Sequence, residues 1–131
     1  MTPLLDISLF YAGLLGLFFF ALSVRTLRQR RRFQVGIGDG GHAELQRAIR
    51  VHANCAEYVP LILLILVLLD LGGSPNWLVH LFGACLVLGR LSHAFGVREV
   101  KENYRFRIFG MAMTFTALVG GSVALLLNPF L

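Results

Sequence analysis

The sequence predicts an all-α membrane protein, a four-transmembrane-helix bundle made by a single domain over residues 1–131. Three observations carry this. Hydrophobic residues make up 56% of the chain and the mean hydropathy is +0.72, more apolar surface than a soluble domain of this length can hide. The apolar residues fall into four blocks, and each is long enough as a helix to cross a bilayer core of about 30 Å, which takes about 20 residues. The twelve Lys and Arg residues all fall on one side of those blocks. A pI near 10.0 would also suit a nucleic-acid binder, but four apolar blocks speak against that partner.

The predicted helices cover residues 4–33, 42–71, 76–96 and 103–128. The first contains "LLDISLFYAGLLGLFFFALSVRTL". No basic leader precedes it, and Arg25, Arg28, Arg30, Arg31 and Arg32 follow its apolar part, so it is expected to be an anchor rather than a cleaved signal. "VGIGDGG" is a turn-rich loop, with Asp39 expected to cap the second helix and Glu44 in its first turn. "GGSPN" is a tight hairpin without Lys or Arg. "GVREVKENY" joins the third helix to the fourth, and "NPFL" closes the chain. Strands are not expected, because the apolar runs are too long and do not alternate.

Seven basic residues lie between the first span and the apolar core of the second: Arg25, Arg28, Arg30, Arg31, Arg32, Arg47 and Arg50. The other five lie between the cores of the third and fourth: Arg90, Arg98, Lys101, Arg105 and Arg107. The positive-inside rule puts both connections in the cytoplasm and both termini on the opposite side. Cys55 and Cys85 sit in apolar stretches without metal-ligand spacing, so they are expected to be buried free thiols, and no metal site is expected. His42 and His80 are expected at the interfaces.

Polar residues continue below the surface. In the second helix Arg47, Arg50, Asn54 and Glu57 are spaced at three, four and three, which makes one helical stripe. Ionisable groups at that depth are costly, so they face a bundle interior or a water-filled cavity, usually with partners. A structural polar lock is one reading. A site for a zwitterionic, peptide-like ligand is the other, because donors and an acceptor occur together. Pro60 lies one turn beyond Glu57 and is expected either to bend the helix and make room, or to be a tolerated membrane proline. Arg90 and His93 share a face at i, i+3 of the third helix. Arg105 and Arg107 are two apart, about 200° round the fourth helix, so both cannot face one pocket.

"RAIRVHANCAEYVPLIL" resembles the second-helix motif of the MAPEG family, the membrane-associated proteins in eicosanoid and glutathione metabolism. "RRRFQV", "GRLSHAFG" and an Arg-x-x-Gly opening of the fourth helix extend the likeness over most of the chain. The wording is similar to that of leukotriene synthase and microsomal glutathione transferases, and the short length and "HAFG" resemble bacterial members. The resemblance implies a homotrimer in a bacterial inner membrane, with glutathione as co-substrate bound between subunits near the cytoplasmic side. By position, Arg30 would reach a glutathione carboxylate. Arg50, Asn54, Glu57 and Tyr58 would hold the tripeptide, with Glu57 on its amino group. His52 stands where leukotriene synthase has glutamine, His93 where it has tyrosine, and Val97 replaces a second tyrosine. The thiol-activating arginine of the family would be Arg107 by its Arg-x-x-Gly context, with Arg105 as runner-up.

The implied activity is a glutathione transferase, with peroxidase activity as a variant, acting in detoxification on a lipophilic electrophile or lipid hydroperoxide that enters from the bilayer. The chemistry is consistent. Arginine forks suit the two carboxylates of glutathione. A thiol of pKa ~8.5 is mostly protonated at neutral pH, and lowering it by about two units takes roughly 2.7 kcal/mol, within reach of one Arg⁺ in a low dielectric. Two other readings stay open: a non-catalytic glutathione- or lipid-binding member, and a small four-span transporter. The transporter would be expected to carry a carboxylate within the first span, where nothing between Ser8 and Ser23 is charged.

Overall fold

The structure, a computed structural model, describes residues 5–130. It contains α1 (Asp6–Phe33), α2 (Ala43–Leu71), α3 (Asn76–Val97) and α4 (Tyr104–Leu127), followed by a 3-10 turn at Asn128–Phe130. No strand occurs among the described residues, and all four helices are long and apolar enough to cross a membrane. Leu4, the expected start of the first helix, lies outside the described residues, as do residues 1–3 and 131.

Each helix end follows from local sequence. α1 stops where Gln34 turns left-handed at φ 54°, with its N–H returning to the Arg30 carbonyl. The loop then uses three left-handed glycines, Gly38, Gly40 and Gly41. Asp39 does not cap α2. Its Oδ1 accepts from Gly41 N at 2.8 Å, which turns the loop, and His42 occupies the cap position without a side-chain bond. Pro60 lies inside α2, which runs unbroken from Ala43 to Leu71. Gly73, at φ 73°, makes the α2–α3 hairpin. Asn103 caps α4 by accepting from Arg105 N at 3.1 Å.

α2 and α3 form the centre. The buried stripe of α2 is Val51, Cys55, Val59, Ile62, Leu66 and Leu69, and it meets Val79, Phe82 and Leu86 of α3 in one cluster. α1 packs on α2, and α4 packs most closely on α3. The α3–α4 seam is built from glycine. A Cβ on Gly89 would stand 2.8 Å from the Gly110 carbonyl oxygen, and one on Gly110 would stand 2.6 Å from His93 N. Higher up, a Cβ on Gly96 would stand 2.8 Å from Arg107 N. The two backbones therefore touch, as small residues allow in a bilayer where no hydrophobic force drives helices together.

The ends differ in character. At the apolar end, Ser8 N donates to Asp70 Oδ2 at 2.9 Å and Tyr11 OH lies 3.2 Å from His80 Nδ1. At the arginine-rich end the helices outrun the bilayer. α1 has 28 residues and is about 42 Å long against a core of about 30 Å. Its last two turns, with Arg28 to Arg32, lie beyond the apolar slab.

The glycine seam makes a test. Gly110→Ala forces its new methyl against backbone atoms that cannot yield, and should lower stability by roughly 1–3 kcal/mol. Gly13→Ala, where no atom lies within 4 Å, should be neutral or stabilise by up to about 1 kcal/mol. Thermal unfolding in detergent compares the two. Equal melting temperatures would mean that α3 and α4 do not touch.

Candidate functional site

Depth decides which polar groups need explaining. At about 1.5 Å per residue, Glu57 lies about 21 Å and Arg50 about 32 Å from the Leu71 end of α2. Arg90 lies about 21 Å from the Asn76 end of α3 by the same count. Glu57 and Arg90 thus sit at one level, well inside a core of about 30 Å.

Arg90 is the largest fully buried side chain, 1% exposed. Its Nη1 donates to Asn54 Oδ1 at 2.6 Å and to the Asn54 carbonyl at 3.4 Å, and Nη2 reaches Met111 Sδ at 3.7 Å. Its Nε has no partner, and it takes part in none of the ion pairs among the described residues. A guanidinium so placed is held by a neutral amide rather than a counter-charge. Arg90 has no assigned role in the sequence pattern. Its i, i+3 spacing to His93 in "GRLSH" was the available signal.

A second group lies on the open face of α2. Arg50 Nη2 and Glu57 Oε1 are 3.7 Å apart, with side chains 57% and 52% exposed. Gln46 above them and Leu61, Leu64 and Leu68 below them are exposed on the same stripe. Tyr58 turns toward α4, its ring 5.6 Å from that of Phe115.

The third group stands at the mouth. Glu102 precedes α4, and its side chain is 1% exposed. Its Oε1 accepts from Arg47 Nη1 at 3.0 Å and from Arg107 Nη1 at 3.1 Å. Arg107 is half-exposed and lines an open groove with Tyr104, Ile108, Met111 and Phe115. Arg105 is exposed, and two residues place it about 200° away. His93 is buried against the α3–α4 seam, and Arg50, Arg90, Glu102 and Arg107 all lie within electrostatic reach of it.

Arg50, Asn54, Glu57, Tyr58, His93 and Arg107 thus lie in the arginine-rich half of three helices but in separate groups: an exposed Arg50–Glu57 pair, Asn54 turned in to Arg90, Tyr58 on Phe115, His93 buried in the seam, and Arg107 at the mouth. Two expected residues point elsewhere in this chain. His52 Nε2 is bonded to Ser23 Oγ at 2.9 Å and its ring stacks on Phe19, toward α1. That follows from its offset of two residues, about 200°, from Arg50. Arg30 Nη1 donates to the carbonyls of Gly38 (2.9 Å) and Val35 (3.3 Å), tying down the loop after α1. Arg47 and Glu102, which the sequence reading did not connect, form the link between α2 and α4.

Chemically, the arrangement offers the Arg50 and Arg107 donors near the mouth and the Glu57 acceptor deeper on the open face of α2. It suits an anionic ligand that also carries an ammonium group. It holds no carboxylate pair for acid–base work.

The Arg90–Asn54 bond can be tested alone. Asn54→Leu leaves a buried guanidinium without its acceptor and should cost about 1.5–3 kcal/mol of stability. Adding Arg90→Met should recover most of that loss. A double-mutant cycle in thermal unfolding reads the coupling, and additive effects would show that the two side chains are not bonded.

The family model described as the MAPEG family matches residues 8–127, from the first turn of α1 to the last of α4. The Inner membrane protein YecN of Escherichia coli (strain K12) is 37% identical over 113 residues, covering 86% of this chain and 85% of YecN. Its counterpart in Escherichia coli O6:H1 gives the same figures. With a match that runs through all four helices and the residues between them, the chain belongs to the MAPEG family.

Proposed function

We propose that this protein is a glutathione transferase of a bacterial inner membrane, working as a homotrimer with its basic connections in the cytoplasm and both termini opposite. The Arg50–Glu57 pair carries the reading. It stands half-exposed on α2 about 9 Å below the level at which the bilayer core begins, counted at about 1.5 Å per residue for Glu57. Lipid is a poor neighbour for such a pair. A second subunit and a zwitterionic ligand together would cover it. Glutathione fits the chemistry: its ammonium replaces Arg50 as the partner of Glu57, and a carboxylate takes the freed Arg50 fork.

Arg107 would stabilise the sulfur as thiolate. It opens α4, where the helix dipole also favours an anion, and its groove faces the side from which an apolar substrate arrives. The thiolate attacks an electrophilic carbon, the carbon–sulfur bond forms, and the leaving group departs with the electron pair. The thiol proton is lost to water at the mouth. With a lipid hydroperoxide the sulfur attacks the terminal oxygen, the O–O bond breaks, the alkoxide leaves and takes a proton to become the alcohol, and a second glutathione condenses with the resulting sulfenic acid to give the disulfide and water. Asn54, already bonded to Arg90, and Tyr58 shape the floor under the ligand. Arg30 would reach a carboxylate only by leaving its loop carbonyls.

A non-catalytic glutathione- or lipid-binding role is the alternative. It is favoured by Arg107 already having a partner, the Glu102 carboxylate at 3.1 Å. A small four-span transporter is a weaker third reading.

Calorimetry with glutathione on the detergent-purified protein tests the first step. Glu57→Gln keeps the shape but removes the charge that meets the ammonium, and affinity should fall about ten- to hundredfold. Unchanged affinity would place the ligand elsewhere.

The ultraviolet thiolate absorbance of bound glutathione tests the second. Arg107→Leu should abolish it and reduce turnover more than affinity, while Arg107→Lys should retain part and Arg105→Leu all. Loss with Arg105→Leu alone would exchange the roles of the two arginines.

A further inference from the structure

Glu102 is an acidic residue in an exposed connection, yet its carboxylate is closed off from solvent. Its flanking residues Lys101 and Asn103 are exposed, whereas its own side chain is 1% exposed. Oε1 is shared by Arg47 at 3.0 Å and Arg107 at 3.1 Å, and Oε2 is enclosed without a partner. Arg47 also donates to the Val97 carbonyl at the last residue of α3, at 3.3 Å. One carboxylate therefore clamps the starts of α2 and α4, and Arg47 extends the link to the end of α3.

The geometry leaves most of Arg107 free. A guanidinium has five N–H donors in a rigid plane, and here only Nη1 is bonded to Glu102. Held from behind at one corner, the plane keeps its other donors for the groove. The charges matter as much as the geometry. Two guanidiniums and one carboxylate leave this trio with one net positive charge. Were Arg47 absent, Glu102 would face Arg107 alone and cancel it. Arg50, Arg90 and His93 carry charge or titrate in the same neighbourhood, Tyr104 lines the groove with Arg107, and Arg98, Glu99 and Lys101 line a pocket with Glu102. From α1, Arg25 reaches the Arg98 carbonyl on the far side of the same connection.

We infer that Glu102 and Arg47 are positioning residues that fix both the aim and the net charge with which Arg107 meets an anionic sulfur. Glu102 orients the fork, and Arg47 keeps Glu102 from neutralising it. The inference rests on the glutathione reading and assigns to that site two residues that need not touch the ligand.

Such a device has a signature that a structural clamp lacks. Both Glu102→Gln and Arg47→Met weaken the same clamp, but they change the charge beside Arg107 in opposite senses. Glu102→Gln keeps an oxygen acceptor and removes the negative charge, so the bound thiol should ionise at lower pH. Arg47→Met leaves the carboxylate to Arg107, so the bound thiol should ionise at higher pH.

The experiment titrates the thiolate absorbance of glutathione bound to the purified full-length protein against pH. The midpoint should fall by about one pH unit in Glu102→Gln, rise by about one in Arg47→Met, and stay put in Arg47→Lys, the size expected for one nearby charge in a partly screened site. Arg47→Gln takes the place of Arg47→Met if the latter does not fold. Midpoints that move in the same direction in both charge variants, or in neither, overturn the inference while the glutathione reading stands. A wild type that binds no glutathione in calorimetry overturns that reading and this inference with it.

Discussion

Where α3 and α4 cross, Gly89 and Gly110 bring backbone against backbone, with no side chain between them to act as a cushion. The arginine-rich end is placed by that contact. His93 is held against it, Thr114 is buried beside it and donates back to the Gly110 carbonyl at 2.8 Å, and Gly96 lets the end of α3 come close to Arg107 N in the first turn of α4. In a bilayer, a helix pair gains little by hiding apolar surface, so close approach and dispersion have to supply the order. A wider crossing would move Arg107 and Glu102 away from Arg47, and the shared carboxylate would no longer span α2 and α4.

Three ways of managing charge then occur within a few turns. Arg90 is enclosed and satisfied by the neutral Asn54. Glu102 is enclosed and divided between two cations. Arg50 and Glu57 are paired with each other across two turns of one helix and remain accessible. Only the last pair can change partners without dismantling the bundle, because neither member holds two helices together. Rigid groups and exchangeable groups are thus separated by which contacts cross between elements.

The four helices could be read from the sequence because apolar length and one-sided basic charge are properties of segments, and neither needs a partner to be known. The descent of Arg47, Arg50, Asn54 and Glu57 was equally plain, since it depends on one helix alone. Which way each member turns was not. Asn54 and Glu57 share a stripe, yet Asn54 turns in to Arg90 and Glu57 stays out, a choice made by the neighbouring helix. Asp39 fitted the pattern of a helix cap, but two following glycines let the chain fold back on it instead. Glu102 had no periodicity to mark it, and one of its two partners lies 55 residues away. By position, Arg30 and Arg107 both fitted a ligand. Their bonds to loop carbonyls and to Glu102 depend on the path of connections that composition describes only as polar.

The Arg50–Glu57 contact also bears on how the chain is made. A helix leaving the insertion machinery meets lipid before it meets any other surface, and a lone charge near its centre raises the insertion free energy by about 2.5–3.5 kcal/mol. Because these two residues are two turns apart on one helix, their 3.7 Å pairing needs no second helix and forms as soon as α2 does. Glu57 therefore enters the bilayer paired with Arg50 rather than as a lone ion. The pair thus serves as the pass that lets a polar helix stay in the membrane.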